Sequence, residues 1–184
     1  MRVVAGRFRG TRLEAVSGDK TRPTTDKVKE AMFSMLMPYL GGGEVLDLYA
    51  GTGGLSIEAV SRGMTHATLV DRQFQAIKVI QANIEKTHDT TAFTVLKMPS
   101  RQALQQLKGA QKTFDLVFLD PPYAKETIAA DMQFLAENGL LAPGAVILAE
   151  SNDAANLPAA SAPFDIVQQK QYGITVVTIY QFDN

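Results

Sequence analysis

The sequence predicts an α/β fold in which helices cover both faces of a mostly parallel sheet. From Glu44 onward, short apolar runs alternate regularly with segments of helical period, which is the pattern of consecutive βαβ units. Gly63, Gly109 and Gly139 end three of the helical segments. The predicted strands are residues 44–49, 66–70, 92–96, 114–120 and 145–150, and the predicted helices are residues 55–62, 73–85, 100–107 and 125–138.

The carboxyl end departs from this alternation. Residues 165–171 and 174–182 are joined only by Tyr172 and Gly173, which is too short a link for the crossover that parallel strands need. We therefore expect these two segments to pair antiparallel as a hairpin. Residues 151–163, which precede them, are rich in Ala, Pro, Ser and Asn and suit a surface loop.

The amino-terminal third is different in kind. Alternating apolar residues within residues 3–13, with glycines at positions 6 and 10, predict a small β-hairpin. A helix should follow, because Thr24 or Thr25 can cap it and its apolar residues recur at helical spacing. We expect residues 1–40 to form an amino-terminal extension and residues 41–184 to form the main domain. The apolar stripe of the helix consists of Val28, Ala31, Met32, Met35 and Leu36.

The composition is that of an ordinary globular protein, with 46% hydrophobic residues, 20% charged residues and a formal net charge of -1. The chain has no cysteine, which excludes disulfides and thiolate metal sites. His66 and His88 have no nearby third ligand in the sequence, so we expect no metal. No apolar run approaches the ~18 residues of a membrane span. We expect a cytoplasmic protein without a membrane partner.

Positive charge is concentrated at the amino end. Residues 1–30 contain eight Lys and Arg against four acidic residues, whereas the remainder of the chain is net negative. Such a cluster can bind the phosphates of a nucleic acid, and the alternative is that these residues are ordinary solvent-exposed charges. Only nucleic-acid binding predicts an affinity that falls with salt. The candidate nucleic-acid contacts are Arg7, Arg9, Arg12, Arg22 and Lys27, with Lys29 as a further member of the cluster.

A second motif, Asp120-Pro121-Pro122-Tyr123, closes the apolar run of residues 114–119. An exocyclic amine of a nucleobase is a poor nucleophile, and two adjacent acceptors can hold its nitrogen in a reactive geometry. The Asp120 carboxylate and the Pro121 carbonyl offer such acceptors, because proline has no N–H that would compete. Tyr123 offers a face on which the base can stack. The alternative interpretation is a rigid turn after a strand.

A third motif, residues 45–54, is an apolar strand that runs into a glycine-rich turn. The turn is neither a P-loop nor a dinucleotide fingerprint, because Leu55 and Ser56 stand where Lys and Gly would be needed. A ligand with an amino acid and a nucleoside end, such as S-adenosylmethionine, fits better. Asp47 could accept from its ammonium group, and Asp71 could accept from its ribose hydroxyls. The candidate cofactor-binding residues are Asp47, Tyr49, Gly51, Gly53, Asp71 and Ser100.

Three stretches resemble a known family. Residues 21–33, 46–59 and 114–123 are similar to the class I S-adenosylmethionine-dependent methyltransferases. Within that class they resemble the bacterial 16S rRNA (guanine(966)-N(2))-methyltransferases, the RsmD family. The glycine loop is typical of the whole class, and Asp-Pro-Pro-Tyr is typical of enzymes that methylate an amino group of a base. The amino-terminal motif is the most specific of the three for the family. The opening residues and the terminal hairpin also resemble the family, so the similarity covers essentially the whole chain.

The resemblance implies a Rossmann-like sheet of seven strands, S-adenosylmethionine as cofactor, and methylation of the N2 amine of a guanine in 16S rRNA. It implies cofactor contacts at Asp47, Gly51 and Asp71 and target-base contacts at Asp120, Pro121 and Tyr123. The expected partner is 16S rRNA within the 30S subunit or its assembly intermediate, bound by a monomer. Two alternatives stay open: an adenine-N6 methyltransferase acting on DNA or RNA, and a non-catalytic rRNA-binding assembly factor.

One departure concerns the adenine end of the cofactor. Many relatives carry an acidic residue after the third strand, whereas this chain has Met98-Pro99-Ser100. Pro99 cannot accept from the adenine amine, so the contact must come from Ser100, from a backbone carbonyl or from packing.

Overall fold

The computed structural model describes residues 1–18, 25–122 and 124–183. Within these residues, seven strands form one sheet in the order β3-β2-β1-β4-β5-β7-β6. The first five strands run parallel, and the last two add antiparallel. The strands are β1 Glu44–Asp47, β2 His66–Asp71, β3 Phe93–Lys97, β4 Phe114–Leu119, β5 Leu141–Ser151, β6 Phe164–Tyr172 and β7 Thr175–Phe182.

Five helices connect or flank these strands. They are α1 Asp26–Leu36, α2 Gly54–Ser61, α3 Phe74–Glu85, α4 Ser100–Gly109 and α5 Ala124–Glu137. Thr25 caps α1 by accepting from the backbone N–H of Val28 at 3.3 Å. The predicted α/β fold with a carboxyl-terminal antiparallel hairpin is confirmed. Most predicted boundaries agree within two residues, and the largest difference is that β5 begins at Leu141 rather than at residue 145.

Each face of the sheet carries its own hydrophobic core. Side chains alternate between the two faces along a strand, and the alternation is regular in β1, β4 and β5. Leu46, Val117 and Ile147 face the core beneath α4 and α5. The neighbouring residues Val45 and Phe118 face the opposite core, which includes the amino-terminal extension and α1 to α3. We call the face of the sheet that carries this second core the α1 face.

The pairing of β4 with β5 contains an irregularity that sets the register at their carboxyl ends. Phe114 pairs with Leu141, but Leu116 already pairs with Val146. Residues 142–145 of β5 therefore include extra residues that have no partner in β4, as in an enlarged β-bulge. Beyond this point the pairing is regular and ends with Leu119 opposite Ala149.

The amino-terminal extension folds back on itself with less strand structure than predicted. Val3 donates to the Thr11 carbonyl at 2.9 Å and Leu13 donates to the Met1 carbonyl at 3.0 Å. Among the described residues, however, the expected hairpin is reduced to one isolated bridge between Arg2 and Arg12. The segment is held less by strand pairing than by contacts with α2.

The contacts between the extension and α2 centre on Glu58, which is fully buried. Its carboxylate accepts from the backbone N–H groups of Val4 and Ala5 at 2.8 and 3.1 Å. It also pairs with Lys29 Nζ at 3.2 Å and Arg62 Nε at 2.9 Å. Our assignment of Lys29 to the exposed basic cluster was therefore wrong, because the side chain is 1% exposed.

No helix among the described residues is long and apolar enough to span a membrane.

Candidate active site

Four carboxylates meet at the carboxyl edge of the parallel strands. Asp47 ends β1, Asp71 ends β2, Asp120 follows β4, and Glu150 lies near the end of β5. Side chains alternate between the two faces of a strand, and the residue just before each carboxylate faces the core beneath α4 and α5. All four carboxylates therefore point toward the α1 face. The carboxyl edge of an open α/β sheet is also where such folds bind ligands.

Asp47 is the most deeply buried of the four and is 2% exposed. Ser56, in the first turn of α2, donates to its Oδ2 at 2.8 Å. Burial raises the pKa of Asp47 to about 7, and the negative charges of Asp120 and Asp71 add to this effect against the Ser56 hydrogen bond. The residue is placed as predicted, but Ser56 was missed as its partner.

Asp71 organises the glycine loop. Its Oδ2 accepts from the backbone N–H of Gly51 at 3.0 Å, and its Oδ1 accepts from that of Gln73 at 2.9 Å. Gly51 has φ +58°, and a Cβ added there would meet nothing within 4 Å. The backbone of the loop is therefore open to a ligand beside Asp71. Gly53, also at positive φ, begins α2, and its N–H is already bonded to the Ala50 carbonyl at 2.8 Å.

Asp120 lies between β1 and β5 at the same edge. It is exposed to solvent, yet the protein packed around its carboxyl group still disfavours the charge and raises its pKa. Pro121 is buried and Pro122 is exposed. Tyr123, the predicted stacking residue, lies outside the described residues.

Glu150 was missed as a site residue. Burial raises the pKa of its carboxyl group, and the negative charge of the neighbouring Asp120 raises it further. Its Oε2 atom is buried and has no hydrogen-bond partner among the described residues. The available signal was an acidic residue directly after the apolar residues 145–149, the same position that Asp71 and Asp120 occupy after their own strands.

Together the four carboxyl groups form an acidic cleft, whose negative charge at neutral pH is limited by the raised pKa values of Asp47, Asp120 and Glu150. No Lys or Arg in the described ranges forms an ion pair with any of them. Within the described residues, therefore, no cation offsets the repulsion between Asp47, Asp120 and their acidic neighbours. Such a cleft favours a ligand that carries positive charge.

A hydrogen-bond group lies on the opposite side of β1. The Tyr49 hydroxyl donates to Asp131 Oδ2 of α5 at 2.6 Å, and the Ser100 side chain of α4 lies beside the same hydroxyl. Burial and the Asp131 carboxylate raise the pKa of Tyr49, while burial raises that of Asp131 to about 6. The predicted cofactor contacts Tyr49 and Ser100 are thus brought together, and Asp131, which joins them to α5, was missed.

An aromatic ring is exposed near Asp71. Phe74 opens α3 and is 56% exposed. The ammonium nitrogens of Lys97 and Lys78 lie 4.7 and 5.3 Å from its ring centre. Lys97 is paired with Asp71 in the β2–β3 register. A ring held in this way can stack on a planar ligand or base.

The open groove between α1 and β6 is a different feature. It has a volume of about 520 Å³ and is lined by residues including Met35, Lys170 and Tyr172. It lies at the β6 edge, three strands from β4. None of the four carboxylates lines it, so we place the chemistry at the strand ends.

The predicted nucleic-acid contacts are not equivalent. Arg9, Arg12 and Lys27 are exposed. Arg7 forms an ion pair with Asp89 at 2.5 Å, which lowers the pKa of that aspartate, and its guanidinium lies 4.5 Å from the Phe8 ring centre. Arg22 lies outside the described residues.

The fold and the site together define a class. A seven-stranded sheet of this order, with an open glycine loop after β1 and an acidic residue at the end of β2, is the Rossmann-like fold of class I methyltransferases. The chain belongs to the family described as "Conserved hypothetical protein 95", the RsmD family, which it matches over residues 1–181.

Curated relatives agree with this assignment. The chain is 40% identical to "Putative rRNA methyltransferase YlbH" of Bacillus subtilis, with 98% of each chain covered. It is 32% identical to "Ribosomal RNA small subunit methyltransferase D" of Haemophilus influenzae, over 98% of this chain and 93% of the relative. The solved structure of "Putative methyltransferase yhhF from Escherichia coli" superposes with a TM-score of 0.86 at 31% identity, covering 100% of this chain and 98% of that one.

Proposed function

We propose that this protein transfers a methyl group from S-adenosylmethionine to the exocyclic N2 amine of a guanine in 16S rRNA. The observation that carries the proposal is the position of Asp120. It precedes two prolines at the sheet edge and shares one face with Asp47 and Asp71. A group that can grip an amine therefore lies beside a site that suits the cofactor. The name of the Haemophilus influenzae relative supports the small-subunit rRNA as substrate.

The residues fit the cofactor in shape and in charge. The open backbone at Gly51 admits a ligand, and Asp71 lies beside it to accept from ribose hydroxyls. S-adenosylmethionine supplies an electrophilic methyl group on a sulfonium sulfur and also carries an ammonium group. These two positive charges suit the acidic cleft formed by Asp47, Asp71, Asp120 and Glu150, because a bound cation favours the ionised carboxylates. Asp47 would ionise fully beside such a cation, because an opposite charge favours the charged form.

The adenine end can be held by packing. Phe74 offers an exposed ring three residues after Asp71, and Met98 is partly buried against the opposite core. Packing of the adenine on the Phe74 ring would replace the acidic residue that many relatives use after β3. Stacking of this kind is worth about 1 to 3 kcal/mol per base.

Asp120 and Pro121 would act on the base. The target guanine must leave its stack to enter the cleft, as for other enzymes that modify bases. The Asp120 carboxylate and the Pro121 carbonyl then accept from the two N–H groups of N2, which directs the nitrogen lone pair toward the methyl carbon. As the N–C bond forms, the S–C bond breaks and its electron pair stays on sulfur. Asp120 stabilises the positive charge on N2 until that nitrogen releases a proton to solvent. Catalysis is then largely positioning.

The test is labelled methyl transfer to unmodified 30S subunits, followed by mapping and nucleoside analysis of the product. We expect N2-methylguanosine in 16S rRNA. N6-methyladenosine would support the adenine alternative, and the absence of both cofactor binding and methyl transfer would support the non-catalytic assembly factor.

Two substitutions should separate the halves of the site. Asp120→Ala should lower turnover by about 10²- to 10³-fold while cofactor affinity survives, because one preorganised electrostatic partner is lost. Asp71→Ala should instead weaken cofactor binding, measured by calorimetry, because it removes the ribose acceptor and the anchor of the Gly51 N–H. Wild-type turnover of Asp120→Ala on a verified substrate would contradict the mechanism.

A further inference from the structure

Glu150 stands directly beside Asp120 at the edge of the sheet. The last regular pair of β4 and β5 is Leu119 with Ala149, so the residues that follow are Asp120, just past the end of β4, and Glu150 of β5. Neighbouring strands lie about 4.8 Å apart. Both side chains project toward the α1 face. Burial, and then the charge of Asp120, raise the pKa of Glu150 to about 8, and the positive charges of a bound cofactor favour the ionised form that accepts a hydrogen bond. Two carboxyl groups with this spacing can contact adjacent atoms along one edge of a base.

The packing of Glu150 leaves hydrogen-bonding capacity unused. Its Oε2 atom is buried without a partner among the described residues. A buried acceptor without a partner is unfavourable, and a ligand that supplies a donor removes this penalty. Asp47, buried at the same edge, differs because it already accepts from Ser56.

We propose that Glu150 reads the Watson–Crick edge of the target guanine by accepting a hydrogen bond from its N1–H, while Asp120 and Pro121 hold the adjacent N2 amine. This assignment rests on the proposed guanine methylation and adds the group that selects the base. Guanine presents donors at both N1 and N2, which suits a row of acceptors. Adenine presents a lone pair at N1, which would face the Glu150 carboxylate and repel it.

This arrangement makes selection depend on one atom of the base. A site built to accept a hydrogen bond discriminates strongly against an analogue that lacks the donor, because the buried acceptor is then left unpaired. The amine-gripping motif alone does not discriminate, since Asp120 and Pro121 can hold the exocyclic amine of either purine. Glu150 is therefore a substrate-recognition residue, distinct from the groups that hold the reacting nitrogen.

The experiment uses 30S particles reconstituted with either guanine or 2,6-diaminopurine at the mapped position. Diaminopurine keeps the N2 amine but has a lone pair at N1 in place of the N–H. Rates of methyl transfer give kcat/KM for each base with the wild type, Glu150→Gln and Glu150→Asp. The control is Glu137→Gln, on the exposed surface of α5, where Glu137 bonds only to Gln133 among the described residues.

We expect the wild type and Glu137→Gln to prefer guanine by at least tenfold. Glu150→Gln should lose at least tenfold of this preference and should methylate diaminopurine faster than the wild type does, because its amide can donate to N1. Glu150→Asp, which keeps the carboxylate, should retain the preference at a lower rate.

A Glu150→Gln protein that binds the cofactor normally but keeps the wild-type ratio, with both bases slowed equally, would overturn the assignment. In that case the residue serves the structure only. Failure of the proposed function looks different, because the wild type itself would then leave guanine N2 unmethylated.

Discussion

At the scale of single residues, the site is an arrangement of like charges. Burial raises the pKa of Asp47 and Glu150, and the charge of Asp120 adds to both shifts. The protein packed around the Asp120 carboxyl group raises the pKa of that residue as well. This arrangement opposes folding when the cleft is empty and favours a cationic ligand when one binds. Stability and ligand binding are therefore linked through the same carboxylates.

Asp47→Asn tests this linkage. The native Asp47 carboxyl keeps its proton up to about pH 7, whereas the unfolded chain releases it near pH 4. Between these values the native state binds more protons, so the stability of the wild type falls as the pH rises. Asparagine removes this dependence and can still accept from Ser56. The stability advantage of Asp47→Asn in urea unfolding should grow by roughly 2 to 3 kcal/mol between about pH 5 and about pH 8.

The matched control is Asp165→Asn, an exposed carboxylate in β6, which should leave the pH dependence of stability unchanged. An Asp47→Asn protein whose advantage is the same at both pH values would show that Asp47 is ionised in the free protein. Saturating S-adenosylmethionine should stabilise the wild type more than Asp47→Asn at the higher pH.

At the scale of elements, the amino-terminal extension and α2 are joined through the backbone and side chain of Ser61. Arg7 donates to the Ser61 carbonyl at 2.9 Å, Phe8 donates to Ser61 Oγ at 2.9 Å, and Ser61 Oγ donates to the Ala5 carbonyl at 2.6 Å. Gly6 makes this approach possible, because a Cβ there would lie 1.9 Å from the Ser61 carbonyl oxygen. Since α2 begins at the glycine loop, the extension is anchored to the element that shapes the cofactor site.

Gly6→Ala and Gly10→Ala form a matched pair for this contact. Both glycines have φ +87°, but a Cβ at Gly10 would meet nothing within 4 Å. Gly10→Ala should therefore cost only the backbone strain, about 1 to 2 kcal/mol. Gly6→Ala must also break the contact with Ser61, so urea unfolding should show it at least about 2 kcal/mol less stable than Gly10→Ala. Equal losses for the two variants would mean that the extension contributes no stability through this contact.

The elements themselves were largely predictable, and the contacts between them were not. Strand and helix positions follow from local periodicity, and the short link Tyr172-Gly173 required the final hairpin to be antiparallel. The burial of Lys29 depends on Glu58, which lies 29 positions later in the sequence, and no local pattern indicates such a pair. Recognition of Glu150 required the register of β5 against β4, which is set by the irregular pairing after Phe114. The strand pairing of the amino-terminal hairpin was overestimated, because several of its backbone N–H groups hydrogen-bond to residues of α2 instead of to the facing strand.

At the scale of the whole molecule, positive and negative charge are segregated. Residues 1–30 are net positive, and the remainder of the chain is net negative. Arg9, Arg12 and Lys27 expose their side chains, whereas the strand ends carry the acidic cleft. A phosphate backbone would be attracted to the first region and repelled by the second, which would leave a single extruded base to enter the cleft.

This segregation predicts how RNA affinity depends on salt. Replacement of Arg9, Arg12 and Lys27 together by Ala should weaken binding to 16S rRNA fragments and reduce the slope of log K against log salt by about 0.7 to 0.9 per lost phosphate contact. Lys108→Ala, at the end of α4 on the opposite face of the sheet, should leave the slope unchanged. Filter binding or fluorescence anisotropy at several salt concentrations gives both slopes, and an unaltered slope for the triple variant would mean that these residues are only solvated charges.

The extra residues at positions 142–145 of β5 have a consequence for how this chain can vary. Downstream of them, both faces of β5 are buried in separate cores, through Ile147 on one side and Leu148 on the other. A shift by one residue would exchange the two faces and is strongly disfavoured. Pro143 and Gly144 are exposed, so a length change there can be absorbed locally. A change of length within residues 142–145 therefore leaves the register downstream unchanged, and Asp120 and Glu150 keep their alignment.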